Sequence, residues 1–224
     1  MFESLQLSEL SVRQCGMIRT PTRTRPALRI VEEDGVKAVV KDYSANGVFY
    51  RNTVGRFLVW REYRAYRRLR GLKGVPSLYR VIKGLAMVIE RIPGRPMEGL
   101  EGERRLAPEF FDDLRVLVSD IHNRGIAHCD LKRAPNVILG EDGRPYIVDW
   151  SASILQREFG FYPASLIYER FVADDFNGVT KLQLRHCPEA IRSEDRKRFA
   201  HRSRAENMVR AFRDRARTLL QRIA

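Results

Sequence analysis

The chain has 224 residues, 44% of them hydrophobic, enough to bury a substantial core in one large domain or two lobes. No apolar run approaches the roughly 20 residues of a membrane-spanning helix, Met1-Phe2-Glu3-Ser4 lacks the basic start and apolar core of a signal peptide, and Cys15, Cys129 and Cys187 have no metal-like spacing, so reduced thiols and a cytoplasmic location are expected. The formal net charge of +13 and isoelectric point near 10.1 call for an anionic partner: nucleic acid, an acidic membrane face or a phosphorylated substrate.

Residues 10–19 are expected to hold a first strand, followed by a basic, proline-bounded loop, Thr20-Pro21-Thr22-Arg23-Thr24-Arg25-Pro26. Two β-rich runs, 27–32 and 36–43, flank Asp34-Gly35 and predict a hairpin. Lys41 lies near the end of the second run, directly after Val39 and Val40, a position where lysine is ordinarily a solvated edge residue. A glycine-containing link (Asn46-Gly47, Gly55) leads into a helix over 57–70 with the inner stripe Leu58, Glu62, Ala65, Tyr66 and Leu69. Glu62 therefore falls on an apolar face, where a carboxylate needs a cationic partner; a rim glutamate paired with a nearby arginine is the alternative. Gly71 and Gly74-Val75-Pro76 end the helix. Strands over 78–82 and 85–92 follow around Lys83-Gly84, and Pro93-Gly94-Arg95-Pro96 breaks the pattern as a hinge.

Beyond it, Phe110, Phe111, Leu114, Leu117, Val118 and Ile121 mark an amphipathic helix that starts at Pro108-Glu109 and is capped by Gly125. A loop dense in polar groups follows, His128-Cys129-Asp130-Leu131-Lys132-Arg133-Ala134-Pro135-Asn136, then a hairpin of 137–139 and 146–149 around Asp142-Gly143. Residues 155–192 predict several short helices. Ala205, Met208, Val209, Phe212, Ala216, Leu219, Leu220 and Ile223 predict a long terminal helix, with Arg210, Arg213, Arg215 and Arg222 off its apolar stripe.

A sheet with a lysine, a helix with an inward glutamate, a hinge, a helix, a His-x-Asp loop and a hairpin ending in Asp149 resemble, in that order, the protein-kinase-like fold over residues 27–152. Ala38-Val39-Val40-Lys41 resembles the family's Val-Ala-Ile-Lys strand, His128-Cys129-Asp130-Leu131-Lys132 with Asn136 its catalytic loop, and Asp149-Trp150-Ser151 its Asp-Phe-Gly motif. The resemblance implies an α+β, bilobal fold in a single domain: a small antiparallel-sheet N-lobe over 1–92, a hinge at 93–97, and a reduced, mainly helical C-lobe over 98–224. It implies ATP and Mg²⁺ as cofactors. Asp130 would accept the proton of the substrate hydroxyl, and Lys132 would neutralise charge on the transferring group. Lys41, held by Glu62, would bind the α/β-phosphates, Glu90 and Ile92 at the hinge would bind the nucleotide, and Asp149 with Asn136 would ligate the metal. His128 is expected to hold the loop rather than act as base.

The chain departs from the family pattern in several places. No Gly-x-Gly-x-x-Gly precedes the hairpin, which leaves the Thr/Arg-rich loop over 20–25 to meet the phosphates. Asn136 stands one position further from Asp130 than is usual, and Trp150-Ser151 replaces Phe-Gly. No Ala-Pro-Glu follows, which implies a reduced C-lobe. With Gly74-Val75-Pro76, Glu90-Arg91-Ile92-Pro93-Gly94 and 175–182, the chain is most similar to the small bacterial lipopolysaccharide core sugar kinases and more distantly to RIO-type kinases. The expected function is phosphorylation of a sugar hydroxyl on a lipid-linked glycan, with basic helices in peripheral contact with the inner membrane. The alternatives are a RIO-like serine/threonine protein kinase acting near RNA and a pseudokinase serving as a binding module.

Overall fold

The computed structural model describes residues 2–103 and 105–200, so the terminal helix expected over 205–223 lies outside the described residues. These residues divide into two compact units, one containing 2–63 and 77–91, the other 64–76 and 92–200.

The first unit is built on a five-stranded antiparallel sheet in the order β1-β2-β3-β5-β4. Its strands are β1 (Gln14–Arg19), β2 (Ala27–Glu33), β3 (Val36–Asp42), β4 (Leu78–Ile82) and β5 (Ala86–Glu90). The β2–β3 hairpin turns on Asp34 and Gly35, both at positive φ (51° and 77°), the geometry whose twist suits a two-residue connection. The β1 strand starts later than expected because Leu7–Glu9 form a short 3-10 turn and Leu10 is buried. Phe2, Leu5 and Leu10 cover one face of the sheet against Val31, Ala38, Val40, Ile82, Ala86 and Val88. Lys41 is no edge residue: β3 is the central strand, and alternation sends Lys41 to the face opposite Val40.

The link expected before the helix is itself helical. It comprises α1 (Val48–Tyr50), a π turn over Arg51–Gly55, and then α2 (Arg56–Leu69). Gly55 does not break the run; it is buried, and a Cβ there would come 3.2 Å from the Tyr43 Cβ, so glycine serves close packing. The buried stripe of α2 is Val59, Glu62, Ala65, Tyr66 and Leu69, with Val59 in place of the half-buried Leu58.

In the second unit, α3 (Pro108–Asn123) buries all six of its expected apolar residues. The expected break at 93–96 instead contains β6 (Gly94–Pro96), which pairs with β8 (Val137–Gly140), itself paired with β9 (Pro145–Ile147). Gly94 is required there, since a Cβ would collide with the Leu139 carbonyl. A two-stranded ladder joins β7 (Ile126–Ala127) to β10 (Ile154–Leu155). The short helices expected over 155–192 are replaced mainly by one 23-residue helix, α4 (Ala164–His186), followed by α5 (Ser193–Ala200). The inward face of α4 carries Asp175, Thr180, Gln183 and His186, and these polar residues erase the apolar period by which a helix is read. Among the described residues no helix is long and apolar enough to cross a membrane.

Candidate functional site

In the first unit, the Lys41 Nζ lies 2.7 Å from the Glu62 Oε2, and both residues are buried, at 5% and 1% exposure. Sheet register and helix period each turn one charge inward, and the pair meets. Two ions taken out of water in this way require each other; removing one partner of such a pair costs about 3–5 kcal/mol.

The basic loop between β1 and β2 is held from beneath by two residues that the sequence did not single out. The Asn46 Nδ2 donates to the carbonyls of Thr22 (2.6 Å), Arg25 (3.0 Å) and Arg23 (3.5 Å), and the Tyr50 hydroxyl donates to the Thr24 carbonyl (2.8 Å). All four carbonyls of the 22–25 tip are therefore engaged. Asn46 is 5% and Tyr50 7% exposed, whereas Arg23 and Arg25 are exposed. Burial pushes the Tyr50 phenol up, and the nearby Lys41 ammonium works against that rise.

In the second unit, α3 delivers the chain into the polar loop. His128 is fully buried with both ring nitrogens committed. Its Nδ1 accepts from the Asp130 N–H (3.2 Å), so its Nε2 carries the proton and donates to the Val148 carbonyl (3.0 Å). The ring packs edge-on against Trp150, with centroids 4.8 Å apart. A histidine so engaged holds the loop in place and is not available as a base.

The loop is anchored by Asp175, which is 1% exposed. Its Oδ2 accepts from the His128 N–H (2.7 Å) and its Oδ1 from the Cys129 N–H (2.8 Å), and the His122 Nε2 lies 3.1 Å from Oδ2. Cys129 has a φ of 68°, a strained conformation for a residue with a side chain. Gly178, one turn past Asp175, lets α4 pack on the loop: a Cβ would come 2.9 Å from the Lys132 nitrogen. Asp130 is thereby presented half-buried, with the Arg133 Nη1 and the Asn136 Nδ2 each 3.4 Å from its Oδ2.

The longer spacer before Asn136 is taken up by a 3-10 turn over Ala134–Asn136. The Asn136 Nδ2 donates to the Asp130 carbonyl (3.0 Å), and its own backbone carbonyl accepts from the Val148 N–H (3.0 Å). Asn136 and Asp149 thus stand at the same end of the β8–β9 hairpin. Asp149 has a φ of 65°, and the Ser151 hydroxyl donates to its Oδ1 (2.7 Å). With its nitrogen committed, the Asn136 amide has a hard oxygen, Oδ1, left to offer; together with the Asp149 carboxylate this is a donor set that suits Mg²⁺. Among the described residues no group of three or more His, Cys, Asp and Glu side chains forms a cluster fit for a metal. Lys132 is half-buried on the same loop. Of the two hinge residues, Glu90 ends β5 with its Oε2 accepting from the Ser77 N–H (2.8 Å), and Ile92 is 9% exposed.

The residues expected to act therefore fall into two sets: Lys41, Glu62 and Glu90 in the first unit, and Ile92, Asp130, Lys132, Asn136 and Asp149 in the second. Lys41 meets Glu62 in the first unit, and Asn136 meets Asp130 in the second. In the sequence, Asp175 enters only as the first residue of the 175–182 match, with no role attached. A further signal is an acid at a helical position whose neighbours a turn or two away, Tyr168, Val179 and Leu182, are apolar.

No family model matches the chain, and no curated protein matches it in sequence. Among solved structures, the Rio2 kinase from Chaetomium thermophilum is similar to it, with a TM-score of 0.57 and 12% identity, over 92% of this chain and 76% of that one. At that identity the likeness speaks to the fold. The chain has a protein-kinase-like, mixed α+β fold.

Proposed function

We propose that the chain is an ATP- and Mg²⁺-dependent phosphotransferase that phosphorylates a sugar hydroxyl of lipopolysaccharide core or a related lipid-linked glycan. The observation that carries the phosphotransfer reading is the anchored loop: Asp175 and His128 together fix Asp130 beside Asn136, with a half-buried carboxylate presented. A purely structural loop has no use for that investment in polar contacts. The glycan acceptor rests on the resemblance of the loop and hinge motifs to the core sugar kinases and on the basic charge.

The kinase resemblance suggests the roles, and the geometry within each set supports them. Lys41, oriented by Glu62, binds the α/β-phosphates, and the exposed arginines of the latched 22–25 loop add positive charge where a glycine-rich loop would supply N–H groups. Glu90 and Ile92 contribute to the nucleotide site. Asp149 and Asn136 hold the metal, which when bound neutralises charge on the phosphate oxygens. Asp130 accepts the proton of the acceptor hydroxyl as that oxygen bonds to the γ-phosphorus and the bond from phosphorus to the departing ADP oxygen breaks. Lys132 stabilises the negative charge on the transferring group.

The fold likeness to the Rio2 kinase favours a second reading, a RIO-like serine/threonine protein kinase. Purified protein with labelled ATP and Mg²⁺ should transfer label to lipopolysaccharide core glycolipid, and Asp130→Asn should abolish it. Label on serine or threonine of protein alone would favour the second reading. Equal biological activity of wild type and Asp130→Asn, with no transfer to any acceptor, would support a binding module instead.

A further inference from the structure

The outer face of the helical run that carries Glu62 on its inner side is unusual. Val48 and Phe49 are each 66% exposed, Phe57 51% and Trp60 49%, all within residues 48–60. Phe57 and Trp60 pack with ring centroids 5.8 Å apart, and the Arg61 guanidinium lies 5.9 Å from the Phe57 centroid. Large apolar groups clustered on a surface mark a contact site.

The charge along this stretch has one sign. No acidic residue occurs between Asp42 and Glu62, while Arg51, Arg56 and Arg61 do. Both flanking acids are buried, at 2% and 1%, and are paired with Arg29 and Lys41. Arg51 and Arg56 donate to neutral oxygens, those of Ser44, Lys83 and Asn52, which leaves their charge uncancelled. The helix itself engages polar side chains within the patch: Asn52 Nδ2 donates to the Val48 carbonyl (3.0 Å) and Thr53 Oγ1 to the Phe49 carbonyl (2.8 Å). Each such bond lowers the cost of bringing these groups close to an apolar medium.

We infer that this face docks on an anionic lipid bilayer, with Phe49, Phe57 and Trp60 at the boundary of headgroups and acyl chains and the arginines on headgroup phosphates. Aliphatic Val48 beside solvent-facing Phe49 gains from acyl chains and gains little from a nucleic-acid backbone. The chain's own residues 201–224 carry seven arginines against two acids, so like charge disfavours them as the occupant. The docking does not depend on the phosphotransfer reading, although it would set a lipid-linked acceptor beside the protein.

The tryptophans give a direct readout, because Trp60 is half-exposed and Trp150 fully buried. Full-length protein is titrated with vesicles of phosphatidylcholine alone and of equimolar phosphatidylcholine and phosphatidylglycerol. Binding to the anionic vesicles alone, weakened by salt, with a blue shift and quenching by brominated acyl chains, is the expected result. The double variant F49S/F57S, with unchanged circular dichroism, should weaken binding at least about tenfold, the effect of losing roughly 1.4 kcal/mol of apolar insertion. Asp130→Asn should bind like wild type, which separates docking from catalysis. Absence of vesicle binding, full binding by F49S/F57S, or loss seen only when the exposed Phe161 and Tyr162 are changed to serine would overturn the inference. So would binding to single-stranded RNA that is tighter than to vesicles and equally dependent on Phe49 and Phe57.

Discussion

Replacing Asp175 isolates what its carboxylate does. In Asp175→Ala the N–H groups of His128 and Cys129 lose acceptors at 2.7 and 2.8 Å in a part of the chain where His128 is fully buried. Each buried donor left unmet costs about 1–3 kcal/mol, so the variant should lose about 2–6 kcal/mol. That is a large share of the roughly 5–15 kcal/mol that holds a domain together. Asp175→Asn keeps one acceptor oxygen but turns an NH₂ group toward the other N–H, and should lose about half as much. Urea unfolding measures both losses, and hydrogen exchange reads the two amides directly. Without its tether Cys129 has no reason to remain at φ 68°, so Asp130 should shift and phosphotransfer should fall by at least about 100-fold, as misplacement of a reacting group by an ångström does. A loss below about 1 kcal/mol for Asp175→Ala, with unchanged protection of the two amides, would refute the anchoring argument.

Lys41→Met and Glu62→Gln should each destabilise by about 3–5 kcal/mol and the double variant by less than their sum, because the second change removes the charge that the first left unpaired; additive losses in denaturation would contradict pairing. Asn46→Ala should raise KM for ATP several-fold more than it lowers kcat, since it frees the 22–25 loop and leaves Asp130 in place; an unchanged KM would dissociate that loop from nucleotide binding. Tyr168 offers a pH test. Burial first, then the Asp175 and Cys129 charges, push its phenol from 10.0 up to about 12 against the opposing Arg68, and its hydroxyl is buried without a hydrogen-bond partner. The folded chain keeps this proton longer than the unfolded chain, so its contribution to stability is intact below pH 10 and is lost between pH 10 and about 12. Tyr168→Phe should therefore be about 1 kcal/mol more stable at neutral pH and should lose less across that alkaline window; a destabilised Phe variant, or one with the same alkaline slope, would show the hydroxyl to be satisfied.

What could be read from sequence were features whose cause is local. Asp34-Gly35 carries its turn in two residues, and the six apolar positions of α3 carry its face in period alone. The order of charged residues around Lys41, Glu62, Asp130 and Asp149 carried the fold because each sits in a recognisable local setting. Features set by distant partners were not legible. Gly55 and Gly94 look like breakers, yet each is dictated by something far along the chain, Tyr43 in one case and the Leu139 carbonyl in the other. The α4 helix was missed because its inward face is spent on Asp175, Thr180, Gln183 and His186, which apolar periodicity ignores. Asn46 escaped notice because an Asn-Gly pair reads as a turn, and nothing near it reveals that its amide grips carbonyls 21 and 24 residues away.

That grip has a consequence for how the chain can change. Asn46 and Tyr50 hold the 22–25 tip through main-chain oxygens, which every amino acid possesses. The shape of the tip is thus written at two remote positions, and its own four side chains carry no part of that specification. Substitutions there alter charge and bulk without disturbing the backbone trace. A flexible glycine loop must be ordered by whatever it binds; here the ordering is completed during folding, and the side chains at the tip are left open to retuning.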